Sequence, residues 1–324
     1  MSRRLLPFVV VVLAAAPAAL ADGGPSPPAL QNGSGVRAPG GGVRYVAVPS
    51  GFYTVVQAQR AHLGTVLRSG RVRGSFGIPS VTFGSSAAGL SRDGSRLVLA
   101  PTGFGNPLRK RTTFVLLSTA NLRVLSRIDL RGDFSYDALS PDASKLYLIQ
   151  HVSRRDLTRY VVRAYDVDLG RLLPGRIADR TQRGWVMAGY PLTRTTSADG
   201  RWVYTLYQNS GDGYPFVHAL DTARGVAHCI GIPWHGDQNA LWQLRMSLRD
   251  GGRTLNLHWR SGREYLAVAR GTWRISHPSA VRAARSGAGF PWWTVALGTA
   301  LGAALLVGAA RLRSYGLRAR AATN

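Results

Sequence analysis

Ser91-Arg92-Asp93-Gly94, Ser140-Pro141-Asp142-Ala143, Ser197-Ala198-Asp199-Gly200 and Ser247-Leu248-Arg249-Asp250-Gly251 are four copies of one short pattern, each followed at once by a run of β-forming residues. The copies start 49, 57 and 50 residues apart, close to the period of about 40 to 50 residues in which a chain repeats a four-stranded blade. Asp and Ser side chains in such a turn bond backbone amides, and Gly takes positive φ. The recurrence is therefore structural and carries no chemistry.

Working outward, a strand is expected after each turn, over residues 97–100, 146–150, 202–207 and 254–259. A third strand is expected over 160–165 and 215–220, then a tight turn in which Asp166 and Gly170 match Asp221 and Gly225 in spacing, then a fourth over 172–177 or 226–232. Residues 43–277 lack any long 3.6-residue period and carry a turn signal about every 8 to 12 residues, which reads as one all-β domain. Four complete units plus residues 43–72 predict a β-propeller of about five blades of four antiparallel strands.

The runs Ser140-Pro141-Asp142 through Leu148, Asp199-Gly200-Arg201-Trp202-Val203-Tyr204 and Val162-Arg163-Ala164-Tyr165-Asp166-Val167 resemble the WD40-like and YVTN-type propeller repeats of bacterial surface proteins. The whole chain is similar to actinobacterial membrane-anchored propeller proteins. That resemblance implies a scaffold shared by binding proteins and enzymes, and fold alone does not choose between them.

Both ends of the chain suggest a location. Residues 1–21 carry Arg3 and Arg4, an apolar run and the small-residue pattern Ala19-Leu20-Ala21, the three parts of a cleaved secretory signal. Residues 291–310 are twenty without a charge, enough at about 1.5 Å each to span a hydrocarbon core of about 30 Å. Trp292 and Trp293 sit at its N-terminal edge and Arg311, Arg313, Arg318 and Arg320 follow it, placing the C-terminal side in the cytoplasm. The expected organisation is a signal peptide (1–21), a flexible Gly- and Pro-rich linker (22–42), an extracytoplasmic propeller (43–277), a spacer (278–290), a single transmembrane helix (291–310) and a basic cytoplasmic tail (311–324). Gly298 and Gly302 form a GxxxG step through which two such helices can associate as a homo-oligomer.

The formal net charge is +25, and only 16 residues are acidic. Such a field attracts anionic headgroups, wall polymers or acidic proteins; an extracytoplasmic setting excludes nucleic acid as the natural partner. Cys229 is the only cysteine, so no intramolecular disulfide forms, and its alternating apolar setting marks a small buried residue and not a nucleophile.

A propeller presents ligands on the loops that enter each innermost strand and on those joining its second and third strands. These are residues 132–137, 183–190 and 234–242, and residues 103–111, 151–155, 208–214 and 258–263. The expected face holds Tyr136, Asp137, Arg154, Arg155, Trp185, Trp234, His235, Asp237, Trp242, His258 and Trp259, residue types that concentrate binding energy. Trp185 and Trp242 also suit the wedge between blades. His235 with Asp237 supplies only half of a metal site, so neither metal nor cofactor is expected. Three classes follow: a noncatalytic, membrane-tethered module binding a protein or anionic wall polymer, which is favoured; an extracellular lactonase or quinone-dependent dehydrogenase; and an accessory subunit of a membrane complex.

Overall fold

The computed structural model describes residues 29–30, 35–82, 87–102, 108–156, 158–179, 186–209 and 213–277. The chain divides into two units, residues 1–275 and 276–324, and the fold below is that of the first. The signal-peptide, spacer, transmembrane and tail assignments, with Gly298 and Gly302, lie outside the described residues, as does Trp185. Among the described residues no helix is long and apolar enough to cross a membrane.

Among the described residues every element of length is a β-strand. The first sheet orders β1 (Val36–Arg37), β2 (Val43–Ser50), β3 (Tyr53–Arg60) and β4 (Val66–Arg73) side by side; the second orders β5 (Phe76–Gly77), β6 (Arg96–Pro101), β7 (Arg111–Ser118) and β8 (Val124–Arg131). An eight-stranded sheet contains β9 (Phe134–Leu139), β10 (Lys145–His151), β11 (Arg159–Asp166), β12 (Arg171–Leu172), β13 (Met187–Thr196), β14 (Trp202–Asn209), β15 (Phe216–Asp221) and β16 (Val226–Gly231). Only Arg159↔Ala188 and Tyr160↔Met187 join its halves, so it is two meanders, β9 to β12 and β13 to β16, touching at an edge. The last sheet orders β17 (Leu244–Arg249), β18 (Thr254–Trp259), β19 (Glu264–Ala269) and β20 (Ile275–Ser276).

The middle strands of the interior meanders are apolar on both faces because those meanders are packed on two sides. In β6 and β7, Leu97, Leu99, Val115 and Leu117 enter the cluster shared with the first sheet. Their alternate neighbours Val98, Phe114 and Leu116 enter the cluster shared with β9 and β10, as the two-residue period of a strand requires. A third cluster joins β9 to β12 with β13 to β16, and a fourth joins β13 to β16 with the last sheet. Outer strands pack on one side only, so β4 and β8 interleave exposed arginines with buried residues such as Val72, Ile128 and Leu130. Successive antiparallel meanders packed face to face, with β1, β9 and β13 lining a common cleft, make a β-propeller.

Three of the four repeat turns are built alike. The Ser91 hydroxyl donates to Asp93 (2.6 Å) and accepts from the Arg96 amide (2.9 Å); Ser140 does the same with Asp142 (2.6 Å) and Lys145 (2.9 Å), and Ser197 with Asp199 (2.5 Å) and Trp202 (2.8 Å). Gly94 and Gly200 take φ of 75° and 73°, and Ala143 occupies the same region at 58°. The fourth copy departs from the sequence alignment. Ser247 lies inside β17, paired with Asn256, and the turn-opening pair is Arg249↔Thr254, two residues later than the letters suggest. The first sheet also starts ahead of residue 43: β1 pairs Val36 with Tyr45 inside the stretch read as linker.

Candidate functional site

Hydrogen bonds between connections define two ends of the strands. At one end the sheet-to-sheet linkers meet the loops between second and third strands: Gly74 N bonds Phe52 O (2.8 Å), Gly132 N bonds Lys110 O (2.9 Å), Ile232 N bonds Pro215 O (2.8 Å) and Arg260 N bonds Gln243 O (2.9 Å). The two loop families expected to share a face therefore do so. At the other end the repeat turns meet the third-to-fourth strand turns, as in Val167 N to Ser144 O (2.8 Å) and Thr222 N to Arg201 O (2.8 Å).

The loop end carries the exposed aromatic surface. Phe52 is 87% exposed, Tyr214 63%, Tyr190 47%, Tyr53 46% and Trp242 38%, and all five lie in loop-end connections or in the adjoining ends of β3 and β13. Arg73, Lys110, Arg111, Arg131, Arg154, Arg155, Arg260 and Arg263 are exposed at the same end. By contrast Leu63, Leu67, Val124, Leu125 and Leu169, also exposed, belong to the turn end.

The structure divides the eleven expected ligand residues among several settings. Arg154, Arg155, His235, Asp237 and Trp242 are exposed on loop-end connections. Asp237 also caps the short 3₁₀ helix Gln238–Gln243 by accepting from Asn239 N (2.9 Å). His258 is half-buried, with its Nδ1 3.1 Å from the Trp259 carbonyl. Trp234 and Trp259 come together, but as packing: their rings stand 5.9 Å apart with Tyr265 5.2 Å from Trp234, and Trp234 is 8% exposed. Arg263 lies over the Trp259 ring at 5.6 Å. Tyr136 and Asp137 are buried in β9 and line a cleft at the turn end, away from the loop surface.

That cleft, of about 510 Å3, is walled by residues of β1, of β9 and β13, and of the segment before β6. Asp137 Oδ1 accepts from Arg194 Nη1 at 3.1 Å, the side chains being 2% and 11% exposed, and Asp137 Oδ2 has no partner among the described residues. Burial pushes the Tyr136 phenol up to about 12. Sequence reasoning did not single out Arg194, although a signal was available: Ala88, Asp137 and Arg194 each stand three residues before the Ser of a repeat turn.

A polar row crosses β13 to β16 from Arg194 through Thr205 and His218 to Cys229, each registered on the next. Cys229 Sγ lies 3.7 Å from His218 Nδ1, and the Cys229 amide donates to Asp179 Oδ2 at 3.0 Å. This is not an activated thiol. Burial pushes Cys229 up to about 12 and holds His218 below the ordinary imidazole range, the opposite of what a nucleophilic thiolate needs. Among the described residues no three His, Cys, Asp or Glu side chains are grouped to hold a metal.

No protein-family model matches the chain, and no curated protein matches it. Among solved structures it is similar to the hydrazine synthase of Kuenenia stuttgartiensis (15% identity, TM-score 0.44, covering 73% of this chain and 64% of that one). It is also similar to TolB from Acinetobacter baumannii (17%, 0.42, 76% and 54%) and to the Dos1 propeller (10%, 0.43, 72% and 55%). The chain thus spans less than two thirds of the length of each.

Proposed function

We propose that the chain is a noncatalytic, membrane-tethered module of the WD40-like and YVTN-type surface class. In this reading its five four-stranded blades bind an anionic partner, an acidic protein or a wall polymer, outside the cytoplasmic membrane. The observation that carries the reading is the segregation of Phe52, Tyr53, Tyr190, Tyr214 and Trp242 to the loop end, among exposed arginines. Aromatic and Arg side chains supply most of the energy at interfaces, and a basic field draws an anionic partner toward them. The signal-like residues 1–21 and the apolar residues 291–310 support the tether. The raised pKa of Cys229 speaks against thiol catalysis.

The test is co-sedimentation of the full-length, detergent-solubilised protein with purified cell walls. Binding is expected to weaken in high salt, because charge attraction is screened, and to fall at least tenfold in Arg154→Glu/Arg155→Glu/Trp242→Ala. Unchanged sedimentation of that variant sinks the reading for wall polymer. Proximity crosslinking on intact cells, with a control lacking residues 43–277, then decides whether a protein takes its place.

A further inference from the structure

The turn-end cleft is separate from the loop surface, and its polar groups are unspent. Arg194 commits one of its five N–H donors to Asp137, through the 3.1 Å bond, and its side chain retains 11% exposure. Asp137 commits Oδ1 and leaves Oδ2 without a partner among the described residues, although the side chain is 2% exposed. A buried carboxylate oxygen with nothing to accept is unfavourable until a donor reaches it. Arg194, with donors to spare, and Asp137, whose Oδ2 is enclosed beside the cleft, therefore line the same cleft.

The rest of the wall selects among ligands. Arg37 and Arg92 join Arg194 as cations, and Asp137 is the acid among the lining residues, so a free amine is disfavoured and an anion favoured. Val36, Val81, Leu90, Leu139 and Val203 supply apolar surface beside the pair, which suits a carbon body. At about 510 Å3 the space matches a small molecule and not a polymer.

We propose that this cleft binds a small carboxylic acid carrying a hydroxyl or amino group next to its carboxylate and an apolar side chain. The carboxylate sits on the Arg194 guanidinium, where charge-assisted hydrogen bonds are strong. The neighbouring hydroxyl or ammonium donates to Asp137 Oδ2. Asp137 has two roles: it fixes the guanidinium and it reads the donor.

The experiment titrates three acids of one skeleton, 3-phenyllactate, phenylalanine and 3-phenylpropanoate, into the full-length solubilised protein, with calorimetry as the readout. One or both donor-bearing acids are expected to bind at least tenfold more tightly than 3-phenylpropanoate, and which of the two does so separates hydroxy from amino acids. Asp137→Asn/Arg194→Gln replaces the ion pair by a neutral pair of similar shape and is expected to lose that binding. Ala88→Leu fills the cleft from the equivalent position of the preceding sheet, leaves the ion pair intact, and is expected to lose it as well. Arg154→Glu/Arg155→Glu is expected to bind the acids as wild type does, so failure of the loop-end reading is distinguishable from failure of this one. Absence of heat from all three acids at millimolar concentration overturns the proposal. So does equal binding of the three, or undiminished binding by folded Ala88→Leu.

Discussion

Ser140→Ala and Ser247→Ala alter the same letter of the same sequence repeat, yet the structure gives them different consequences. The Ser140 hydroxyl is buried, donates to Asp142 at 2.6 Å and accepts from the Lys145 amide at 2.9 Å. Truncation strands that amide and removes a charge-assisted bond, together worth about 2 kcal/mol. For a domain of this size that corresponds to a fall of roughly 4 to 8 °C in Tm. Ser247 lies within β17 opposite Asn256, and its removal is expected to stay within about 0.5 kcal/mol. The difference also depends on pH. The Ser140 hydroxyl, ahead of the Ser144 bonds, holds Asp142 down from 3.8 to about 2. A carboxyl whose folded pKa lies below its unfolded value stabilises the fold above the unfolded value, and that contribution is lost as pH falls through the folded one. The gap between wild type and Ser140→Ala therefore narrows as pH drops from about 4 to about 2. Urea titrations of both variants across that window check it. Equal destabilisation by Ser140→Ala and Ser247→Ala would refute the assignment of the fourth turn to residues 249–254.

Tyr147→Phe removes the 2.7 Å bond from a buried phenol to the Thr222 carbonyl, which ties β10 to the turn after β15; a loss of about 1 to 2 kcal/mol in urea unfolding is expected. Leu257→Ala empties a fully buried position in the cluster between the last two sheets and is expected to cost about 2 to 5 kcal/mol. Leu63→Ala, at a position 74% exposed, is expected to stay within about 0.5 kcal/mol in the same assay. With its thiol pushed up to about 12, native Cys229 is expected to react with iodoacetamide at pH 8 on the order of a thousandfold more slowly than in urea; comparable rates would show an accessible or ionised thiol.

The second strands after the four repeat turns and the third strands β11 and β15 were legible because they are dense β-branched and aromatic runs, as in Tyr160 to Tyr165 and Trp202 to Tyr207; β7 and β19 were not placed. What escaped was decided by pairing across the chain. Val36 and Arg37 sit in a Gly- and Pro-rich tract, and only their partners Tyr45 and Arg44 make them a strand. The fourth turn was misread because Ser247 matches the repeat by letter while Arg249↔Thr254 holds the equivalent register. At the site, Asp137 was legible as a candidate ligand residue but on the wrong end, read as part of a loop where the structure places it in β9 at the turn-end cleft, and its partner Arg194 comes from a different meander. Trp234 was legible as an aromatic but not as packing, since the rings that bury it, Trp259 and Tyr265, arrive from β18 and β19.

The apolar clusters also show how the meanders are held together. Among the described residues each of the four clusters joins one meander to the next in sequence. The outward faces of the first and last meanders mix in polar residues: the first sets Val46, Val48 and Val55 beside Gln57 and Gln59, and the last carries Asn256. On the first, Gln57 and Gln59 bond the Leu30 backbone, at 3.0 Å and 3.3 Å. On the last, Arg249 pairs with Glu264 at 2.6 Å, and the Asn256 amide bridges them. Hydrophobic burial thus acts between successive meanders, and the two terminal faces contribute hydrogen bonds, each worth only about 1 kcal/mol net. Stability in such a series accumulates neighbour by neighbour, so a cavity in a cluster shared by two central meanders disturbs both partners. Loss of the Arg249 to Glu264 contact, whose arginine side chain is 53% exposed, leaves the clusters intact. The rigid scaffold that fixes the loop end and the turn-end cleft therefore draws chiefly on the interior interfaces, while Val46, Gln57, Gln59 and Asn256 of the terminal faces are themselves buried.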